Sequence, residues 1–314
     1  MRSRLLALVA SVPLLLSVLS TVGPAASANA AAARAKSPCG QVRSAPRYKH
    51  VIWIWMENHS FPTIIGSSSA PFMNKLATQC GLATNYHNIT HPSLPNYIGA
   101  TSGLGYAALK RFTSDCSPSA QCSTPARSIF AQGESWKAYE DSMPSACLPV
   151  NSGNYAARHN PPLYYTKLAG CAQHDVPYRQ LASDLKRGRL PAFSFITPNL
   201  IHDMHNGTVA DGDSWLAKNL PAILSSHAYR SRSTVVFLAW DEGEGGSSNK
   251  CATNTTDIGC HIATIVISPS TRKGTRSRTL FNHYSLLGTA EQLLHLPKLG
   301  RASSFPTMTK AFNL

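Results

Sequence analysis

Two periods of apolar residues alternate along this chain. Short runs rich in β-branched and aromatic residues recur at 48–56, 191–197, 233–240 and 262–268. Each predicts a strand with its side chains buried. Helical spacing fills much of what lies between. Pro71 to Ala77 opens a short helix with proline in its first turn. Leu94 to Thr101 predicts another, with Pro95 placed where a missing N–H costs little. Tyr178 to Arg187 and Tyr284 to Leu294 carry helical patterns, and Asp213 predicts an N-cap for a helix toward Leu224, broken at Pro221. Ser128 to Gln132 reads as helical and Trp136 to Glu140 as extended. Cys116 to Thr124 is a Ser/Pro/Cys loop. Met143 to Pro162 holds Pro, Gly and Asn throughout and predicts an irregular lid or cap. Strands alternating with helices predict an α/β domain, with a mostly parallel central sheet and helices on both faces. No internal repeat is visible.

The N-terminus changes the picture of the mature protein. Arg2 and Arg4 precede an apolar run from Leu5 to Leu19, followed by the small-x-small sequences Ala26-Ser27-Ala28 and Ala28-Asn29-Ala30. That pattern predicts a secretory signal peptide, residues 1–30, cleaved near Ala30. Ser and Pro interrupt the run, and it is too short to span a membrane well. Without an Arg-Arg pair, the general secretory route is expected. Residues 31–47 predict a flexible leader and 48–314 the folded domain. The mature chain is expected to be extracellular, with no transmembrane segment.

Export makes the cysteines informative. All eight, Cys39, Cys80, Cys116, Cys122, Cys147, Cys171, Cys251 and Cys260, follow the signal. An even count in an exported chain predicts disulfides. Eight cysteines allow about 105 connectivities, and the sequence alone does not choose among them. Short loops make Cys116–Cys122 and Cys251–Cys260 natural local pairs, and Cys39–Cys80 with Cys147–Cys171 would complete four bridges. No Cys-x-x-Cys spacing favours a zinc site.

Charge sets the partners. Lys and Arg number 29 against 15 Asp and Glu, a formal net charge of +14. Such a field concentrates anions near a cleft. Phosphorylated substrates and an anionic lipid surface both fit. No nucleic-acid partner is expected, because the one dense basic run, Arg272 to Arg278, reads as an exposed loop.

Chemistry gathers where strands end, the usual place for sites in open α/β sheets. The first strand runs into Glu57 and Asn58, oxygen donors that suit a hard cation. A loop acid beside a turn-forming Asn is the plain alternative. Ser93 opens a helix, where a hydroxyl can attack a phosphate held by free backbone N–H groups. It can equally be a helix cap. Asn96, one turn on, can donate its amide to a phosphoryl oxygen. Asp203 and His205, two apart in an extended loop, can meet one metal ion. Asp241 and Glu242 follow a long apolar strand, where adjacent acids repel unless a cation lies between them. His261 precedes another strand and can complete a His/Asp/His set. His283, at the start of the last helix, contacts substrate or caps.

Together these segments resemble the phosphoesterase family of bacterial acid phosphatases and non-haemolytic phospholipases C, in the alkaline phosphatase superfamily. The matching pieces are Glu57-Asn58-His59-Ser60-Phe61, His91-Pro92-Ser93-Leu94-Pro95-Asn96-Tyr97, Asn199 through Gly207, Trp240-Asp241-Glu242-Gly243 and His283 through Leu287. The Ser-Leu-Pro-Asn stretch is also similar to the Thr-Phe-Pro-Asn segment of nucleotide pyrophosphatases. The resemblance implies an alkaline-phosphatase-like fold and hydrolysis of phosphate esters. It implies Ser93 as nucleophile and Asn96 as a phosphate contact. It places Glu57, Asn58, Asp241 and Glu242 at one divalent metal, and Asp203, His205 and His261 at a second. Two departures stand out: Asp203-x-His205 replaces Asp-x-x-x-His, and Asp241-Glu242 replaces Asp-His. Fewer imidazoles argue against two tight zinc ions. They leave room for a single metal, of unspecified identity, with His205 and His261 on the phosphate. His91 and His159 are candidates for stabilising charge or protonating the leaving group.

Acid phosphatase-like chemistry is the leading expectation, with phospholipase C or phosphodiesterase activity the alternative. A serine esterase built on Gly212-Asp213-Ser214, and a non-catalytic polyanion-binding protein, stand behind them.

Overall fold

The computed structural model describes residues 37–246 and 248–314. The predicted signal peptide and the first part of the leader lie outside them. Nine strands form one sheet: β1 (His50–Met56), β2 (Gly81–His87), β3 (Trp136–Glu140), β4 (Asp175–Pro177), β5 (Phe193–Thr197), β6 (Thr234–Trp240), β7 (His261–Ile267), β8 (Arg276–Ser277) and β9 (Phe281–Asn282). Their order is β4-β3-β5-β1-β6-β7-β2-β8, with β9 also paired to β2. Every pairing is parallel except the two made by β7, against β6 and β2. The α/β architecture with a mostly parallel sheet is therefore as expected.

Continuous apolar sequence explains the centre of this sheet. Strands covered on both faces cannot alternate with polar residues. Val51 to Met56 and Val235 to Trp240 are all at most 1% exposed. Trp53 packs edge-on against Phe193, ring centroids 4.9 Å apart, and Trp55 lies 5.5 Å from Phe195. Two helix pairs pack around the sheet: Ser93–Ser102 against His283–Leu293, and Pro71–Gln79 against Val209–Ser225.

Several elements differ from their sequence patterns. β2 carries no legible strand pattern, because Thr84 and Asn85 interrupt its apolar positions, at a shift in its register with β7. β4, β8 and β9 are too short to show a period. The Ser128–Gln132 segment shortens to one 3-10 turn at Ile129–Ala131. Asp213 does not cap its own helix. Thr208 does, in a reciprocal capping box with Asp211. Asp213 instead accepts the Phe72 and Met73 N–H groups, capping the neighbouring Pro71–Gln79 helix across 140 residues of sequence. Pro221 does not break the Val209–Ser225 helix. It and Ala217 lie on the exposed side, where water can take the carbonyl that proline leaves unbonded.

All four expected disulfides form: Cys39–Cys80, Cys116–Cys122, Cys147–Cys171 and Cys251–Cys260. The first ties down part of the expected leader, as do the Gln41 and Val42 N–H bonds to Pro269 O. Among the described residues, no helix is long and apolar enough to cross a membrane.

Candidate active site

The carboxyl ends of β1, β5 and β6 lie side by side in the sheet, and the loops leaving them bring distant acids together. Glu57 follows β1, Asp241 follows β6, and Asp203 sits in the loop after β5. The backbone joins them: Glu57 N–H donates to Asp203 O at 2.9 Å, and Asp241 N–H to Met56 O at 2.9 Å. Glu57, Asp203 and Asp241 are wholly buried, and Glu242 is 8% exposed.

Ser93 begins its helix directly under this cluster. Its Oγ donates to Glu57 Oε2 at 3.0 Å and reaches Asn58 Oδ1 at 3.3 Å. Asn58 takes up a left-handed conformation, φ 46°, and its N–H donates to Asp241 Oδ1 at 2.9 Å. Tyr97, one turn along the Ser93 helix, donates its hydroxyl to Glu57 Oε1. Asp115 accepts the Leu94 N–H at 2.9 Å and so fixes the start of that helix.

His159 closes the cluster from the other side. Its Nε2 lies 3.4 Å from Glu57 Oε1, and its Nδ1 lies 3.2 Å from Asp203 Oδ2. Its ring stacks on Tyr97 at 5.4 Å. The Met143–Pro162 segment therefore supplies an inner wall of the site: His159 is 1% exposed and Asn160 wholly buried. His205 joins the same edge, with one ligand atom each from Glu57, His159 and His205 within 4.8 Å of one another. Its N–H donates to Asp203 Oδ1 at 2.8 Å.

Asp241 and Glu242, adjacent in sequence, face different ways. Glu242 Oε2 lies 2.9 Å from His91 Nδ1 and accepts from Asn96 Nδ2 at 3.3 Å. His91 and Glu242 open onto a cleft of about 340 Å³ bounded by Asn58, Pro92 and the Gly243–Gly246 turn. Gly246 is required there, because a Cβ would strike His91 Nε2 and the Gly259 backbone. The Cys251–Cys260 disulfide holds the Gly259 side, and Gly243 N–H bonds Gly259 O at 3.0 Å.

Three predicted residues turn away from the cluster's open side. Asn96 is wholly buried. Its Oδ1 accepts the Ile89 and Thr90 N–H groups, and its Nδ2 donates to Thr90 O and Pro92 O. It braces the His91–Ser93 turn and has no free donor for a phosphate. His283 is also wholly buried, with Nε2 at 2.6 Å from Asp241 O and Nδ1 at 3.1 Å from Tyr86 OH. It backs Asp241, while Asn282 caps the helix. His261 directs Nε2 to Thr84 O at 3.1 Å and stacks on Phe61. Tyr97, Asp115 and Arg158 join the site residues without having been expected from the sequence. Tyr97 ends the His91–Tyr97 motif and Arg158 directly precedes His159, so sequence position signals both. Asp115 carried no signal.

The electrostatics follow from burial. Desolvation, then the charges of Asp241 and Asp203, push Glu57 well above the usual carboxylate range. Asp203 is raised by burial, partly opposed by the His205 N–H. Burial lifts Asp241 to about 6. Glu242 is raised by burial and by the Asp241 and Asp115 charges. Burial lowers the imidazoles, His91 moderately, His159 strongly and His283 to about 3.

Among the described residues, no lysine or arginine pairs with Glu57, Asp203, Asp241 or Glu242. Asp241 Oδ2 is buried with no hydrogen-bond partner. Uncompensated buried carboxylates are strongly unfavourable. An oxygen-rich donor set with an orphaned carboxylate oxygen fits a hard divalent cation.

Comparison with known proteins gives the same direction. Residues 67–297 match the phosphoesterase family. The chain is 30% identical over 267 residues to the phosphatidylinositol-3-phosphatase of Mycobacterium tuberculosis, covering 84% of this chain and 83% of that one. It is 31% identical over 307 residues to a probable acid phosphatase of Kluyveromyces lactis, covering 91% and 68%. Its fold is similar to that of an alkaline phosphatase superfamily protein from Vibrio parahaemolyticus, with TM-score 0.57 and 13% identity over 87% of this chain and 73% of the other. A phosphonate monoester hydrolase of Agrobacterium radiobacter gives TM-score 0.55 and 11% identity, over 84% and 77%.

Proposed function

We propose that this chain, which belongs to the phosphoesterase family of hydrolases acting on phosphoric ester bonds, is an exported, metal-dependent phosphatase with Ser93 as its nucleophile. The observation that carries this reading is the position of Ser93 Oγ, 3.0 Å from Glu57 within a set of buried, uncompensated carboxylates. A hydroxyl is a weak nucleophile unless its proton is taken or its oxygen is activated. Glu57, Asn58 and Asp241 are the residues we assign to a divalent cation. When bound, such an ion polarises the phosphoryl group and favours the ionised serine.

The side chains then divide the work. Glu57 accepts the Ser93 proton, and Tyr97 and His159 hold Glu57 in place. Ser93 Oγ forms a bond to phosphorus as the bond to the leaving oxygen breaks. His91 and Glu242, 2.9 Å apart beside the cleft, share a proton that passes to the leaving oxygen. The deprotonated pair next takes a proton from water as the water oxygen bonds to the phosphoserine phosphorus. The Ser93 Oγ–phosphorus bond breaks, and Glu57 returns its proton to Ser93 Oγ as inorganic phosphate leaves. Asp203 keeps His159 oriented throughout.

The four disulfides and the basic, small-residue N-terminal pattern support export. The mycobacterial relative is named for an inositol lipid phosphate. A phosphate monoester on a membrane headgroup is therefore the natural second substrate to offer, after a soluble aryl phosphate.

The decisive experiment is hydrolysis of an aryl phosphate monoester and a matched diester, with chelator and after metal is restored. Metal-restorable turnover, faster on the monoester, is expected. Activity indifferent to chelator, or fully retained by Ser93→Ala, overturns the reading.

A further inference from the structure

The buried acids Glu57, Asp203, Asp241 and Glu242 attract cations, yet the substrate is an anion. A phosphate ester must meet a second positive group among these acids. Arg158 lies on the 3-10 turn Ala157–His159, directly beside the histidine that contacts Glu57 and Asp203. We propose that Arg158 receives the non-bridging oxygens of the phosphoryl group, and that His205 positions it and is not a metal ligand. This rests on the phosphatase reading above.

Arg158 is partly buried as a residue and has no carboxylate within ion-pair distance among the described residues. A sequestered arginine is normally paired. Here Nη2 donates to His205 Nε2 at 3.1 Å, which spends one of five N–H donors and offers no countercharge. The planar fork matches phosphate oxygens. Its field reaches the nucleophile's surroundings: it opposes the rise of both Asp203 and Asp115, and Asp115 fixes the helix N–H next to Ser93.

His205 is committed at both ring nitrogens. Nε2 accepts from Arg158, so the ring proton sits on Nδ1, 2.7 Å from Asn206 Oδ1. A lone pair used by a guanidinium is not available to a metal ion. The backbone N–H of His205, bonded to Asp203 Oδ1, fixes where the ring stands. Glu57 and Asp241 would then be left to hold a divalent cation, with the Arg158 guanidinium on the Asp203–His205 side.

The test uses the full metal-loaded protein and inorganic phosphate as ligand. Elemental analysis gives metal per chain and calorimetry gives phosphate affinity, neither of which needs turnover. Arg158→Ala is expected to keep the wild-type metal content and bind phosphate about tenfold or more weakly. His205→Gln is expected to keep the metal and lose part of that affinity. Unchanged phosphate affinity in Arg158→Ala, or metal lost from His205→Gln, overturns the proposal. Should Arg158→Ala fail to fold, Arg158→Lys, which keeps the charge and loses the fork, decides in its place. Weakened phosphate binding is expected, and wild-type affinity with wild-type kcat/KM overturns. Wild-type protein that binds phosphate through Arg158 but turns over no phosphate ester would sink the phosphatase reading alone.

Discussion

Ser93 donates its hydroxyl to Glu57, a residue 36 positions earlier that directly follows the central strand β1. The two arrive by different routes, one at a helix start and one at a strand end. Their 3.0 Å separation is a property of the sheet-to-helix packing.

Removing that hydroxyl tests the nucleophile. Ser93→Ala is expected to lower kcat by about a thousandfold or more, because no other oxygen occupies its place. Steady-state kinetics on an aryl phosphate, with a thermal melt to confirm folding, checks this. A residual rate above a tenth of wild type is the contrary result.

The leaving-group proton separates two substrate types. A nitrophenolate leaves without help, whereas an alkoxide needs a proton. His91→Asn should slow an alkyl phosphate by about a hundredfold and nitrophenyl phosphate far less. Gly246→Ala, whose methyl would strike the His91 ring, should give the same signature. Equal losses on both substrates would assign His91 to structure only.

Metal removal should cost stability as well as rate. Metal-free, Glu57, Asp203, Asp241 and Glu242 repel one another when ionised, and each has a raised folded pKa. Their penalty is absent below the unfolded carboxylate range and grows as pH rises toward the folded values. The Tm of chelated protein should therefore fall between pH 5 and pH 7, and metal should flatten that slope. Asp241→Asn should raise the Tm of the chelated form at pH 7 while abolishing activity. An unchanged Tm contradicts the electrostatic account.

Glu291 offers a pH test away from the site. It is wholly buried, with Oε1 bonded by Gln132 Nε2 and Leu299 N–H and Oε2 without a partner. Burial lifts it from 4.5 to about 7. The folded state therefore holds the proton more tightly than the unfolded one, and stability declines as pH rises through that window. Glu291→Gln should match wild type near pH 4.5 and exceed it near pH 8, by up to about 3 kcal/mol. Parallel Tm curves across that range would refute the assignment.

The Gly212-Asp213-Ser214 sequence makes a structural prediction instead of a catalytic one. Asp213→Ala should lower stability by about 1–2 kcal/mol through loss of a helix cap. Ser214→Ala, exposed in the second turn of its helix, should leave phosphatase activity unchanged. Activity lost with Ser214 would reopen the esterase alternative.

Sequence by itself determined the central strands, because β1 and β6 are apolar on both faces and only a covered strand tolerates that. It determined that acids follow those strands, but for the cysteines it offered only candidate pairs, and the fold decided that those four form. The tertiary structure decided which side chains converge. Asp241 and Glu242 are neighbours in sequence, yet one turns to Asn58 and the other to His91. His261 and His283 look as ligand-like as His159 on paper. Packing sends them to the carbonyls of Thr84 and Asp241, and leaves His159 between Glu57 and Asp203. Local pattern fixes which face of a strand a residue takes. The direction of a loop side chain past the strand end depends on contacts with segments far away in sequence, from 42 residues for His283 with Asp241 to 183 for Asn58 with Asp241, and those no local window of sequence contains.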